Sequence, residues 1–403
     1  MAGGDIGSII DTLVYNAVSS YYTGLIKVPD ADIYIVGDMV GAGADLTLYS
    51  FACDSLGNIG AAPIDSLVLE DAGSPSGMRS IIHISGDVFA CAFNASAQVV
   101  VKTFTCDTSG NLGAAAIDTI NLGAISANIS FMPDLKHVQS DIYVVSYTYN
   151  AGVGGEYRGQ ISTIRINSDG TIDEPVLSTL TYMAAFGIKP NLLKVTNNHF
   201  LHIAGETTPA IWGKLRQINI TDAGILSQIA SDLGFDNVTY DGGTVHRVSG
   251  DVYVIFYKGG PSDTFGMMIT VTANFVDTPT PIDSWEYYSA ALDWPRGIEI
   301  SKNQAGNGKI YAVMSGIDGA VANQLRTFNI LNNGTITEAA LDTQQVNARY
   351  ANGPDIIHGV GEMYIISARS GAAFDKGTVY SVDIEAAISS KGGLNPGLVL
   401  ELV

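Results

Sequence analysis

The chain has 403 residues, of which 40 are acidic and 20 are basic, so its formal net charge at pH 7 is −20. Hydrophobic residues make up 46% of the sequence, which is enough for a sizeable core and excludes a wholly disordered chain. An acidic protein gains no counterion release on a phosphate backbone, so no nucleic-acid partner is expected.

The start of the chain, Met1 to Ser8, has no basic segment followed by an apolar run, so no secretory signal peptide is expected. No run of 18 apolar residues occurs, so membrane insertion is not expected either. The cysteines are Cys53, Cys91 and Cys106, and an odd, small number in so long a chain argues against a disulfide framework. We expect reduced structural thiols.

A short phrase of the type Asp-apolar-Tyr-apolar-apolar recurs along the chain at intervals of 52 to 58 residues. The copies are DIYIV at Asp32, DVFAC at Asp87, DIYVV at Asp141, HFLHI at His199, DVYVI at Asp251, KIYAV at Lys309 and EMYII at Glu362. Repetition at a fixed period indicates that one structural unit is repeated. The sequence therefore predicts seven units, which begin near residues 22, 78, 132, 189, 242, 294 and 353.

The sequence of each unit predicts four short strands. An apolar run such as residues 80–84 comes first, the Asp-apolar-Tyr phrase second, and an alternating segment such as residues 98–105 third. A glycine turn leads to the fourth strand, which has parallel sequences in IDSLVL at Ile64, IDTINL at Ile117 and IDSWEY at Ile282. No stretch has a convincing helical period, so the fold class is all-β.

Seven four-stranded units resemble the seven-bladed β-propeller superfold over nearly the whole chain, which implies one domain spanning residues 1–403 with antiparallel blades. Residues 9–15 match the fourth-strand sequences, so we expect them to form the outer strand of the last blade, paired near residues 378–384, and to close the ring. Residues 398–403 are a rival for that place. Otherwise residues 385–403 form an extension that docks on its own outer blade or on a neighbouring subunit.

The resemblance is one of architecture and identifies no family. The double glycines of Kelch repeats, Trp-Asp endings and the sialidase Asp-box are all missing. A superfold hosts many functions, so function has to be argued from particular residues.

Aligning the first strands predicts a ring of polar side chains near the central channel. Its members are Lys27, His83, His137, Lys194, His246, Glu299 and His358. His246, Glu299 and His358 have the composition of a 2-His-1-carboxylate metal site. Carotenoid-cleaving oxygenases are similar in holding iron with four histidines on a seven-bladed axis, but this chain lacks their long insertions. The alternatives are an anion or small-ligand site, or side chains that bond backbone carbonyls, which the two lysines favour. No cofactor is predicted.

Aromatic residues are predicted to lie on the face formed by the connections between second and third strands and between successive units. The candidate ligand-binding residues there are Tyr22, Tyr149, Tyr157, Trp212, Tyr240, Tyr288, Trp294 and Tyr350. Aromatic planes beside short polar side chains suit sugar rings, and they suit protein partners equally well. The alternative is that many of these rings cap the core between blades.

No catalytic motif occurs, so three functional hypotheses remain open. The first is a non-enzymatic structural or adhesion protein of a virion tail, capsid surface or other assembled surface, with protein partners or self-assembly through the C-terminal strand and the loop face. The second is a glycan-binding lectin, and the third is a metal-dependent enzyme with the axial ring as its site. The expected location is a virion or extracellular surface, and otherwise the cytoplasm.

Overall fold

Seven small antiparallel sheets form a ring in the computed structural model. It describes residues 3–16, 20–40, 45–70, 76–95, 98–124, 132–150, 157–183, 187–207, 211–236, 240–259, 265–289, 292–303, 305–317, 323–346, 354–370 and 376–386. Within these ranges the regular structure is all strand, which confirms the predicted all-β, seven-bladed propeller.

The strands of each blade follow one another in chain order, apart from β1 (Ile6–Asn16), which belongs to the last blade. Blade 1 contains β2 (Ser20–Lys27), β3 (Ile33–Val40), β4 (Asp45–Ala52) and β5 (Asp65–Glu70). Blade 2 contains β6 (Ser76–Ser85), β7 (Val88–Ala95), β8 (Gln98–Thr105) and β9 (Asp118–Ala124). Blade 3 contains β10 (Asp134–Gln139), β11 (Ile142–Asn150), β12 (Tyr157–Ile166) and β13 (Ile172–Met183).

Blade 4 contains β14 (Gly187–Lys194), β15 (His199–Thr207) and β16 (Ile211–Ile220), and its fourth strand is split into β17 (Leu226–Gln228) and β18 (Leu233–Asp236). Blade 5 contains β19 (Gly243–Ser249), β20 (Val252–Gly259), β21 (Phe265–Thr272) and β22 (Thr280–Tyr288). Blade 6 contains β23 (Leu292–Lys302), β24 (Gly308–Ile317), β25 (Gln324–Leu331) and β26 (Asp342–Gln345). Blade 7 contains β27 (Asp355–His358), β28 (Met363–Ser370) and β29 (Lys376–Ile384).

The first strands of the blades surround the axis. They contact one another in a closed cycle that runs from β2 through β6, β10, β14, β19, β23 and β27 and back to β2. Seven clusters of buried apolar side chains lie between the sheets, and each cluster joins residues of two adjacent blades. The hydrophobic core is therefore divided into seven interfaces, one for each pair of neighbouring blades.

The N-terminal segment closes the ring, as the sequence predicts. Strand β1 pairs antiparallel with β29, with Thr12 opposite Tyr380 and Val14 opposite Thr378. Hydrogen bonds form the turn between these two strands, although no peptide bond joins them there. The Gly4 N–H donates to the Glu385 carbonyl (2.7 Å), and the Glu385 N–H donates to the Asp5 carbonyl (2.9 Å). The equivalent turn of blade 1 has the same two bonds within residues 54–58. Of the C-terminal extension, residues 387–403 lie outside the described residues.

A hydroxyl on the third strand of a blade reaches the turn of the following blade. Each hydroxyl donates to a glycine carbonyl in that turn, at 2.5 to 2.6 Å, and the pairs are Ser50 with Gly110, Thr103 with Gly170, Thr163 with Gly224, Thr270 with Gly334, Thr327 with Gly4 and Ser381 with Gly57. In blade 4 the side-chain amide of Gln217 takes this place and donates to the Asp277 carbonyl (2.6 Å). All seven interfaces therefore contain this bond.

The recurring Ile-Asp-Ser/Thr sequence of the fourth strand, which is Leu-Asp-Thr in blade 6, explains a second set of bonds. One aspartate oxygen accepts a backbone N–H from the next blade at 2.8 to 2.9 Å, and the pairs are Asp11 with Ile59, Asp65 with Leu112, Asp118 with Ile172, Asp283 with Ile336 and Asp342 with Ile6. The other oxygen accepts the N–H of the residue that follows the aspartate. In blade 3 the Ser178 hydroxyl replaces the carboxylate and accepts from Leu226 (3.3 Å).

The apolar residue before the aspartate packs on the glycine of the same turn. Gly110 has a φ of +89°, and a Cβ atom added there would lie 2.8 Å from Cδ1 of Ile64. Both the backbone conformation and the close approach therefore require glycine. We call this three-part contact, with its hydroxyl, its carboxylate and its apolar residue on glycine, the interblade latch.

We expect a chain that lacks residues 1–16 to lose cooperative folding. The deletion removes β1 together with Gly4 and Asp11, so the latch between blades 6 and 7 is lost, and the latch between blades 7 and 1 keeps only the bond from Ser381 to Gly57. Thermal unfolding followed by circular dichroism measures the effect, and a synthetic peptide of residues 1–16 should restore the transition when it is added. An unchanged melting temperature without the peptide would contradict this assignment of ring closure.

Replacing Asp283 by Ala should lower the free energy of unfolding by about 1–3 kcal/mol, because the buried Ile336 N–H loses its acceptor. Glu286→Ala is the matched control, since Glu286 lies on the same strand and is exposed. Its free energy of unfolding should stay close to that of the wild type. Equal losses in the two variants, measured by chemical denaturation, would show that the carboxylate latch contributes nothing specific.

Candidate functional site

The members of the predicted axial ring share one position on the first strands. This position is identified by the residue that pairs with it on the second strand. Each member of this position lies opposite the aromatic residue of the repeated phrase, as His83 lies opposite Phe89 and Lys194 opposite Phe200. In blade 5 that position holds Arg247, which pairs with Tyr253, whereas His246 pairs with Val254. The assignment of His246 to the ring was therefore wrong by one residue. Counting six residues back from the aromatic, as in blades 2, 3, 4 and 7, would have found Arg247.

Three ring histidines close the turn between the first two strands. The Nε2–H groups of His83, His137 and His358 donate to the carbonyls of Gly86 (2.8 Å), Ser140 (2.9 Å) and Gly361 (2.8 Å). Arg247 makes the same contact, donating through Nε to the Gly250 carbonyl (2.7 Å). The recurrence of one bond in four blades supports a structural role for these side chains.

The remaining ring members have partners of other kinds. Lys27 lies 3.7 Å from an Asp32 oxygen, Glu299 accepts from the Lys309 ammonium (2.6 Å), and the Lys194 ammonium donates to the Val138 carbonyl of the preceding blade. In the part of the chain that the structure describes, no three His, Cys, Asp or Glu side chains are grouped so that they could hold a metal ion. The trio of His246, Glu299 and His358 is therefore not brought together as a metal site.

A cavity of about 360 Å³ lies at the axis, between the first strands of blades 3 to 7. Its polar lining comes from Lys136, Asn191, Lys194, Thr244, His246, Arg296 and Asp355. Thr244, Arg296 and Asp355 come from a strand position three residues before the ring, which was not among the predicted site residues.

This earlier position holds neighbouring first strands together. A side-chain oxygen accepts the N–H of the next blade at 2.7 to 3.1 Å, and the pairs are Ser80 with Leu135, Asp134 with Leu192, Asn191 with Val245, Thr244 with Gly297 and Asp355 with Leu25. The two other blades carry Gly24 and Arg296 here, and neither side chain can accept such a bond. Carboxylates and amides are thus present at the axis because the backbone needs acceptors.

Two of the axial cations face these carboxylates. The Lys136 ammonium lies 3.1 Å from an Asp134 oxygen, and Nε of Arg296 lies 4.0 Å from an Asp355 oxygen. Burial raises the pKa of the Asp355 carboxyl, and the Arg296 charge opposes that rise. Burial also lowers the pKa of the Lys194 ammonium. Among the described residues no carboxylate lies within 4 Å of that ammonium.

The structure places the predicted aromatic residues in different environments. Tyr149, Trp212 and Tyr288 are half-buried at strand ends on the predicted face. The Lys214 ammonium lies 5.3 Å from the ring centre of Trp212, and the Arg326 guanidinium lies 4.2 Å from that of Tyr288. The side chains of Tyr22, Tyr157 and Trp294, and all of Tyr350, lie outside the described residues.

Tyr240 does not belong to an exposed surface. It is fully buried, packs against Phe235 and Tyr257, and its hydroxyl donates to the Lys189 carbonyl (3.3 Å). Its inclusion among the ligand-binding residues was therefore wrong, because the ring fills the core between blades 4 and 5.

Several other aromatic residues near this face cover glycines of the adjacent third strand. A Cβ atom at the glycine would clash with the ring in four blades, where the pairs are Gly159 with Tyr182, Gly213 with Phe235, Gly266 with Tyr287 and Gly377 with Tyr15. Such covering compensates for the missing side chain of a strand glycine. An aromatic at the end of a fourth strand, combined with a glycine at the start of the third, is the signal that could have revealed these structural rings.

A buried polar cluster between blades 3 and 4 was also missed. Arg216 is 1% exposed and binds Asp232 at 2.8 Å, while the Ser146 hydroxyl lies 2.8 Å from Nε2 of His202. Burial, and then the nearby Arg216 charge, lower the pKa of His202 well below its usual value, so this imidazole stays neutral. Although a Ser–His pair resembles a nucleophile and its base, both residues are fully buried, so a substrate has no access to the hydroxyl.

Comparisons with known proteins show the fold and no family. No protein-family model matches the chain, and no curated protein sequence matches it. A protein of unknown function from Dyadobacter fermentans is similar in structure, with a TM-score of 0.53 and 9% identity over 94% of this chain and 99% of that chain. The extracellular domains 1–2 of Drosophila Semaphorin 1a have a TM-score of 0.53 and 9% identity over 94% and 88% of the two chains. Sqt1 of Chaetomium thermophilum has a TM-score of 0.51 and 11% identity over 93% and 97%.

Within the described residues there is no helix with the length and apolar character needed to cross a bilayer.

The three cysteines should be unreactive in the folded protein. Each is fully buried, and burial raises the pKa of each thiol to about 12, so almost no thiolate is present at pH 8. Ellman's reagent should therefore label none of them in native protein and all three in guanidinium chloride. Rapid labelling of any thiol in the native state would show that the blade containing it opens locally.

Proposed function

We propose that this protein is a non-enzymatic binding propeller, a structural or adhesion component of an assembled surface such as a virion tail or capsid. The proposal rests on one observation, that the two faces of the ring are built differently. One face consists of turns held by latches, and the connections of the other face share no repeated sequence motif.

The face with the third-to-fourth strand turns is fixed in every blade. At all seven interfaces a side chain from the preceding blade bonds a carbonyl in or beside the turn. A change at one of these bonded positions therefore disturbs an interface between blades, and such a surface is poorly suited to the sequence variation that recognition requires.

The opposite face is formed by the connections from second to third strands and from each blade to the next. Their sequences share no repeated motif, and small residues dominate several of them, as in GAGA at 41–44 and AGVGGE at 151–156. Loops on a rigid scaffold can change without disturbing the blades, so recognition is placed most easily here.

Half-buried aromatic residues give this face binding energy. Tyr149, Trp212 and Tyr288 expose part of their rings, and the cations beside Trp212 and Tyr288 hold those rings in place. Partly exposed Tyr and Trp residues contribute strongly at interfaces because they bury a large apolar area. The net charge of −20 limits unspecific contact with anionic cell surfaces.

We expect the purified protein to assemble or to bind a surface receptor through this face. Light scattering should give a mass above that of one chain, or a glycan array should give specific signals. Trp212→Ala should weaken the observed association at least tenfold, because removing a hot-spot ring at an interface costs about 2 kcal/mol or more.

Leu56→Ala is the control, because Leu56 is 73% exposed in a turn of the latched face. Its association should equal that of the wild type. A strictly monomeric protein that binds no glycan would remove the support for this function. An equal loss of association in Trp212→Ala and Leu56→Ala would show that the contact does not lie specifically on the face that contains Trp212.

A further inference from the structure

The geometry points to a binding site for a small oxyanion, a carboxylate or phosphate compound, in the axial cavity between blades 3 and 7. This site lies on the axis rather than among the loops, so it goes beyond the recognition face and does not depend on it. The cavity, of about 360 Å³, falls within the usual range for small-molecule sites.

The charges around the cavity are opposite in sign to those of the protein as a whole. Three of the 20 basic side chains, Lys136, Lys194 and Arg296, line it, and Asp355 is the acidic residue in its lining. Counting the adjacent Asp134 as well leaves an excess of one positive charge in a chain that carries −20 overall. A local positive potential inside an acidic protein attracts small anions and repels cations.

The carboxylates here are already used by the fold. One Asp134 oxygen accepts bonds from the Leu192 N–H (2.7 Å) and from the Asn191 side chain (2.9 Å). The Asp355 oxygens accept from the Leu25 N–H (2.9 Å) and the Ile356 N–H (3.1 Å). These N–H donors already stabilise part of the negative charge of both carboxylates. The carboxylates therefore neutralise the neighbouring cations less completely.

Lys194 is the cation with the least compensation. Its ammonium donates to the Val138 carbonyl, a neutral acceptor, and burial already lowers its pKa. An anion in the cavity would supply the missing counter-charge, while the Arg296 guanidinium, which is 10% exposed, could donate to the same oxygens. Asn191 and Thr244 add short polar groups to the lining.

The test is a binding measurement with succinate and with inorganic phosphate, at low ionic strength, by calorimetry and thermal shift. We expect at least one of the two anions to raise the melting temperature more than sodium chloride at equal ionic strength does. Binding of succinate alone would identify a carboxylate site, and binding of phosphate alone a phosphate site. If neither anion exceeds chloride, the inference is wrong.

Lys194→Met should weaken binding at least tenfold. Lys27→Met is the matched control, because Lys27 occupies the equivalent position in blade 1 and does not line the cavity. It should bind within twofold of the wild type. Lys136→Met removes a second ammonium from the cavity and serves if Lys194→Met does not fold. Equal affinities in the cavity variants and in Lys27→Met would overturn the site.

Discussion

The fold depends on bonds that cross from one sheet to the next. At all seven interfaces a third-strand side chain donates to a turn of the following blade. At six of them the structure also describes a fourth-strand oxygen that accepts a backbone N–H of that blade. A propeller blade contacts only its neighbours, so stability is the sum of similar interfaces rather than the property of one core. Seven apolar clusters supply most of the burial, and the latches fix how each pair of blades meets. The N-terminal strand is held in the same way, since Asp342 accepts from Ile6 and Asp11 accepts from Ile59. Ring closure thus uses the same carboxylate bond as the interfaces between blades 1 and 2, 2 and 3, and 5 and 6, without a covalent bond between the two ends of blade 7.

This explains why the fold could be predicted from the sequence and the sites could not. Strand order is encoded in recurring residues, because each Ile-Asp-Ser/Thr sequence meets the same turn, and residues 9–15 repeat that sequence. The position of a side chain relative to the axis depends instead on which residue of the neighbouring strand it faces. One residue of register therefore separates His246 from Arg247. The burial of Tyr240 could not be predicted for a similar reason. It results from packing between blades 4 and 5, which the order of residues along the chain does not show.

The two faces follow from the distribution of the latches. Serine, threonine, aspartate and glycine recur at the third-to-fourth strand turns because each residue bonds or packs against a neighbouring blade. The connections on the opposite face have no such recurring residues, and their sequences differ between blades. Several aromatic residues there are also structural, as Tyr182 and Tyr287 show by covering glycines. Fewer aromatic residues are therefore candidates for the proposed recognition than the sequence suggests, and the half-buried Trp212 and Tyr288 remain candidates.

At the axis the same need for backbone acceptors has an electrostatic consequence. Neighbouring first strands are joined by Ser80, Asp134, Asn191, Thr244 and Asp355, and two of these five are carboxylates. A buried carboxylate is tolerated only when donors or cations surround it, and Lys136 and Arg296 meet that need. Lys194 belongs to a different position, where its ammonium bonds a carbonyl and adds a positive charge that no described carboxylate offsets. The excess positive charge of the cavity thus has two separate structural causes. The carboxylates that accept backbone N–H groups require Lys136 and Arg296 beside them, and Lys194 adds a further charge because its ammonium is the donor to the Val138 carbonyl.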